Sequence, residues 1–127
     1  MASSDFKITN EQTQKQDGSP VTVFHLRGWL DAQSESQLVT AAQDAHAQGV
    51  RYLVLDMADI DTLTSAGIRA LQKIYKLFDP SDQNSSSMHI KLCSAPPQVY
   101  HVLALTGFLQ SMPMYESLKA ALTSYDS

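Results

Sequence analysis

The sequence predicts an α/β fold, a single domain with a mixed sheet of four to five strands packed with three to four helices. Three observations carry this. Apolar residues alternate with a period of two in the first thirty residues and switch to a helical period after Ala32. The run Tyr52-Leu53-Val54-Leu55-Asp56-Met57 is nearly continuous and apolar, as expected of a central strand buried on both faces. Strand, helix and buried strand in succession then call for a crossover connection and a parallel pair.

Each element follows in order. Phe6 and Ile8 begin a loose alternation that ends at the turn residues Gln16-Asp17-Gly18-Ser19-Pro20, and Val21 to Leu26 resumes it with β-branched and aromatic residues. Together they read as an antiparallel hairpin. Gly28 is expected to break the second strand just before Trp29-Leu30-Asp31. Leu38, Ala41, Ala42 and Ala45 form one helical face, with Asp31, Ser34 or Ser36 placed to cap its start and Gly49 to end it. After the buried strand, Asp56 is expected to close it and Asp59 and Asp61 to lie in a short acidic loop. A second helix follows Ser65, with Ile68, Leu71, Ile74, Tyr75 and Phe78 facing inward and Arg69, Gln72, Lys73 and Lys76 facing water. The polar stretch at 79–87 is expected to be a mobile loop. Met88 to Ser94 reads as a strand. Pro96-Pro97 open a third helix with Val99, Val102, Leu103 and Thr106 on one face, ended by Gly107. Pro113-Met114-Tyr115 reads as a short last strand, and Leu118, Ala121, Leu122 and Tyr125 as the stripe of a closing helix. Residues 1–127 are taken as one domain, with disordered tails expected at 1–4 and 126–127.

Bulk properties exclude several functions. Of 127 residues, 43% are hydrophobic and 17% charged, which is enough apolar material for a core. The formal net charge is −4 and the basic residues are scattered, so no face is expected to hold a nucleic-acid backbone. The single cysteine, Cys93, has no intramolecular partner and reads as a small core residue. The first residues offer neither the basic nor the apolar segment of a signal peptide, and no run approaches the ~20 apolar residues of a membrane span. A cytoplasmic location is the expectation, without membrane insertion.

Catalytic chemistry finds little footing. The four histidines, His25, His46, His89 and His101, lie at no ligand spacing and read as surface residues. There is no Gly-rich phosphate loop and no Gly-x-Ser-x-Gly elbow. Asp56, Asp59 and Asp61 read as an ordinary solvated turn. The expectation is a protein that is not an enzyme and needs no metal or cofactor.

One constellation stands out, from Asp59 to Leu71: a buried strand, an acidic stretch, then Thr62, Thr64 and Ser65 at a helix start, followed by Ala66 and Gly67. Its plain reading is an N-cap, in which Thr64 or Ser65 accepts a bond from a first-turn amide, worth about 1 kcal/mol. Its functional reading uses the same geometry. A serine at a helix mouth is reachable by a kinase, its phosphate would meet unpaired amides and the positive helix end, and Arg69 stands one turn on to pair with it, or with an acidic patch on a partner when phosphate is absent.

These residues resemble the STAS family, whose bacterial members include anti-sigma factor antagonists. Leu26-Arg27-Gly28-Trp29-Leu30-Asp31 is similar to the family's Leu-x-Gly-x-Leu-Asp, and the segment from Tyr52 to Leu71 is similar to its buried strand running into Asp-Ser-Ser-Gly or Asp-Ser-Thr-Gly. The resemblance implies a STAS-like domain that binds an anti-sigma factor, often a serine kinase of the histidine-kinase-like ATPase type, and thereby frees a sigma factor. Phosphorylation of the motif serine would break that binding and a serine phosphatase would restore it. The matching acceptor is Ser65, with Thr64 second, and the implied partner surface comprises Asp31, Asp61, Thr62, Thr64, Ser65, Ala66, Gly67 and Arg69. Thr64 stands where the family often has Asp, and Ala66 where it has Ser or Thr. These departures motivate the alternative of a constitutive scaffold in a larger signalling or transporter-accessory complex. A nucleotide-binding domain is a third reading.

Overall fold

The computed structural model describes residues 5–15, 18–79, 89–110, 112 and 114–125. Both expected tails and, apart from Asp79, the expected mobile loop lie outside them. Among the described residues five strands form one sheet in the order β1-β2-β3-β4-β5. They are β1 (Lys7–Gln14), β2 (Pro20–Leu30), β3 (Leu53–Leu63), β4 (Ile90–Cys93) and β5 (Met114–Tyr115). The first two pair antiparallel and every later pair is parallel. Between them run α1 (Glu35–Ala47), α2 (Ser65–Phe78), α3 (Pro97–Leu105) and α4 (Leu118–Ser124), with a short 3-10 turn at Phe108–Gln110. No helix among the described residues is long and apolar enough to cross a membrane.

Strand alternation divides the core. Phe24, Leu26, Leu53, Leu55, Ile90 and Leu92 point to the face covered by Leu38 and Ala42 of α1, Leu71 and Ile74 of α2, and Val99 and Leu103 of α3. Val21, Val23, Val54 and Cys93 point the other way and are covered by Ala121 of α4 with Leu118, Leu122 and Tyr125. Ser117 caps α4 by accepting the Ala120 amide at 3.1 Å, and the Tyr125 hydroxyl locks the helix end by donating to the His89 carbonyl at 2.8 Å. Thr106, expected inward on α3, is exposed because the helix ends there in a turn. Gly49 ends α1 with a φ of +103°, as its position after the stripe implies.

Two strand boundaries differ from the sequence reading. β2 does not break at Gly28. It runs on to Leu30, with Gly28 at a φ of +94° and its α-carbon so close to the chain that a β-carbon would stand 2.0 Å from the Asp5 carbonyl oxygen. Nor does Asp56 end β3. The strand continues through Asp59 and Asp61 to Leu63, so the expected acidic loop is strand. Twice along the pair, between His25 and Arg27 and between Gly28 and Trp29, β3 carries one residue more than β2. These bulges scramble the alternation that sequence reading depends on. The Asp56 carboxylate supports the first by accepting the Ala58 amide at 3.0 Å.

Three histidines do more than face water. His46 packs edge-on against Phe78, and His89 bonds the buried Asp79 carboxylate. His25 lies in the middle of the sheet between Glu11 of β1 at 2.7 Å and Asp56 of β3 at 2.6 Å. The bond to Glu11 raises its pKa above the ordinary 6.5, with partial burial opposing and Asp56 adding to the rise. Protonated His25 therefore ties three strands together. This contribution is complete below pH 6.5 and is lost as pH climbs through the raised value. In thermal unfolding between pH 6 and 9, His25→Gln should be less stable than the parent at pH 6 and close much of that gap by pH 9. Parallel profiles would show that the tie carries no proton.

Candidate functional site

The site is built where β2 and β3 end side by side. Trp29 pairs in register with Thr62 and Leu30 with Leu63, so both strands reach the same level before turning into α1 and α2. The Leu30 carbonyl accepts the Thr64 amide at 3.1 Å, and the Thr64 hydroxyl points to the same oxygen at 3.5 Å. Thr64 is extended, with φ −109° and ψ 177°, and is the N-cap of α2, its hydroxyl oxygen accepting the Gly67 amide at 3.4 Å. Of the two hydroxyls the sequence offered for this cap, Thr64 is the one used. Ser65 is the first helical residue and is exposed, while Ala66, Gly67 and Ile68 are buried.

Gly67 is required by space. A β-carbon there would stand 2.4 Å from the Leu30 carbonyl oxygen and 2.7 Å from Cδ1 of Leu63. The close approach the sequence implied is thus made by the strand end. Ala66, where a family hydroxyl was expected, packs inward.

On the β2 side, Asp31 shapes the turn into α1. Its Oδ1 accepts the amides of Gln33 at 3.0 Å and Ser34 at 3.2 Å. The buried Ser34 hydroxyl accepts the Asp31 amide and donates to the Trp29 carbonyl at 2.8 Å. Ser34 occupies the N-cap position of α1, yet its side chain serves this turn and not the helix amides. Trp29 is 39% exposed, and its indole N–H donates to Oδ2 of Asp61 at 3.1 Å. The Asp61 carbonyl in turn accepts from the Gln98 side chain of α3 at 3.4 Å. Asp31, Asp61, Thr62 and Ser65 thus share one end of the sheet.

In the unmodified chain Arg69 is held by a partner on α1. Its Nε and Nη2 donate to the two carboxylate oxygens of Glu35 on α1, at 2.9 and 3.0 Å, and Lys73 donates to the same carboxylate at 3.0 Å. The Arg69 bond, then the Lys73 bond, lower the Glu35 pKa to about 2. The guanidinium is already committed across the helix pair, so it does not stand free at the mouth of α2. Sequence reading missed Glu35 and did not count Trp29 as a site residue. A signal for Glu35 existed: Arg69 and Lys73 are like charges at i and i+4, a spacing that is costly unless an anion sits between them.

No group of three or more His, Cys, Asp or Glu side chains among the described residues is arranged to hold a metal. Burial pushes the Cys93 thiol up to about 11, far from the range of a nucleophile. An open concavity of about 510 Å³ beside Trp29 is lined by Asp5, Lys7, Asp31 and Ser34 among others. Two carboxylates against one lysine make it a poor cradle for polyphosphate.

Known proteins share this fold. Residues 11–121 match the family model described as STAS domain. The anti-sigma F factor antagonist of Paenibacillus polymyxa is 25% identical over 119 residues, covering 92% of this chain and 97% of that one. Among solved structures, an anti-sigma factor antagonist from Mycobacterium paratuberculosis superposes with a TM-score of 0.74 at 22% identity, over 95% of this chain and 96% of that one. The anti-sigma factor antagonist SpoIIAA, solved unphosphorylated, superposes at 0.71 and 17% identity over 96% of each chain. Its phosphorylated form, from Bacillus, gives 0.65 at 17% identity over 93% of this chain and 98% of that one.

The packing at Leu30 yields a test. Gly67→Ala should cost about 1–3 kcal/mol, the usual range for overpacking against atoms that cannot retreat. Urea unfolding measures it, and a variant as stable as the parent would mean that strand and helix part without cost.

Proposed function

This chain belongs to the STAS domain family, and from that premise we propose that it is a cytoplasmic anti-sigma factor antagonist. It binds a kinase-type anti-sigma factor through the sheet end that carries Trp29, Asp31, Asp61 and Ser65, and phosphorylation of Ser65 releases it. A serine phosphatase would reset the switch. The observation that carries this reading is the exposed Ser65 hydroxyl at the first residue of α2, outside the cap that Thr64 already makes.

Division of labour between the two hydroxyls supports the switch. Phosphate on Ser65 leaves the Thr64 cap intact, so modification need not unfold the helix start. The first turn of α2 holds no acidic residue, so the positive end of the helix is unopposed by a charge of its own and favours an added anion. The incoming charge, about −1.5 to −2 at neutral pH, also lands near Asp61 and would repel an acidic partner surface. The relatives' names support the class of partner, and SpoIIAA is a protein of this fold known in both phosphorylation states.

A second reading, a constitutive scaffold, draws on Arg69, which Glu35 already occupies. It requires a stoichiometric complex that survives Ser65→Asp.

The two separate in one experiment. Incubation with the cognate kinase and ATP should place phosphate on Ser65, mapped by mass spectrometry. Ser65→Asp should weaken binding to the anti-sigma factor at least ~10-fold, or about 1.4 kcal/mol, while Ser65→Ala binds like the parent. Binding indifferent to Ser65→Asp, with no phosphate on Ser65 or Thr64, overturns the switch.

A further inference from the structure

We propose that phosphate on Ser65 takes Arg69 away from Glu35 while Lys73 stays behind to hold Glu35, so that phosphorylation rewires the tie between α1 and α2. The inference rests on reading Ser65 as the acceptor and adds what the phosphate does inside the molecule.

The carrying observation is that one carboxylate is held by two cations. Glu35 accepts three hydrogen bonds, two from Arg69 and one from Lys73 at 3.0 Å, and its side chain is only 13% exposed, whereas both cations are 55% exposed. The anion is the more covered group and the two cations are the more exposed ones. Losing Arg69 leaves Glu35 with a cation and with a place in the first turn of α1, where the helix dipole also favours it. Departure of Arg69 therefore strands no charge.

The destination is equally specific. Arg69 is four residues beyond Ser65 on α2, and long helical side chains lean back toward the N-terminus. Lys73 is eight residues beyond, about 12 Å along the axis at 1.5 Å per residue, which places it poorly for Ser65. Only Arg69 of the pair is positioned to change sides. A phosphate offers it more charge than a carboxylate, three acceptor oxygens and the two-pronged geometry guanidinium prefers. Two cations facing one anion become two cations facing two.

The exchange also links the two halves of the site. Glu35 is the first residue of α1, and its amide donates to the Asp31 carbonyl at 3.0 Å, so it belongs to the turn that places Asp31 and Trp29. The unmodified chain braces that turn to α2 through a bidentate bond. The phosphorylated chain braces it through one lysine ammonium, which fixes orientation less well.

The test needs no kinase. Phosphoserine is installed at position 65 of the full chain during translation, and its titration is followed by phosphorus NMR in the parent, Arg69→Gln and Lys73→Gln, with Glu35 followed through its carboxylate carbon. Arg69 should lower the second phosphate pKa by about 0.5 or more relative to Arg69→Gln, and Lys73→Gln should leave it nearly unchanged. The Glu35 midpoint should rise from about 2 on phosphorylation and rise further in Lys73→Gln. A phosphate pKa indifferent to Arg69→Gln, or a Glu35 midpoint unmoved by phosphate, overturns the exchange. These outcomes are distinct from failure of the function proposed above. An exchange in a chain that no kinase modifies would overturn only that function, and a Ser65→Asp effect on partner binding with no Arg69 effect on the phosphate would overturn only the exchange.

Discussion

Everything at the candidate site hangs on the carbonyl of Leu30. It ends β2, accepts the Thr64 amide at the start of α2, and lies so close to Gly67 that no side chain fits between them. A backbone hydrogen bond of this kind adds only about 0.5–1.5 kcal/mol net. Its consequence is geometric: it fixes where the helix begins relative to the strand beside it. With Thr64 extended and turned toward Leu30, the helix starts one residue later, and Ser65 has no inward direction to take. On the other side of the same carbonyl, Asp31 opens the turn into α1. A single oxygen therefore sets the spacing between the two halves of the surface.

That junction was only partly legible in the sequence. The fold class, the antiparallel pair followed by parallel strands, and the apolar faces of the helices follow from pattern, because burial alternates from Phe24 to Leu30 of β2 and is continuous along β4, as in a strand covered on both faces. The end of β3 did not follow. Its bulges let Ala58 and Asp59 face water in succession and return Ile60 and Leu63 to the core, a pattern that imitates a loop. Asp56, Asp59 and Asp61 strengthened the imitation, since Asp is disfavoured in strands. Gly28 misled for a related reason: a glycine with positive φ usually ends a strand, and here it lets the β1 end approach.

The exposed serine at the start of α2 was legible because its signal is local: hydroxyls before an apolar helix, with a small residue two positions after the serine. The ion pair beside it was not, because Glu35 and Arg69 are 34 residues apart: the like charges of Arg69 and Lys73 call for an anion, but nothing in their segment says which one. Sequence placed Arg69 correctly, one turn from Ser65 on the wet face, but gave no sign that Glu35 holds it in the unmodified chain. Trp29 was missed as a site residue for the opposite reason. An aromatic in a strand is ordinarily core, and only the structure shows its indole turned out to hold Asp61.

What unites these findings is how the surface handles charge. Asp61 is held by an indole N–H, Glu35 by two cations, and the Asp31 carboxylate by two amides of its own turn. Each of these three acidic groups is oriented by a partner within the chain, and preorganised polar groups of this kind bring specificity at little ordering cost. Here the unopposed element is the positive end of α2, beside a hydroxyl that the cap does not use. On the proposed reading, an anion added at that point would alter both the charge a partner meets and the brace between two helices.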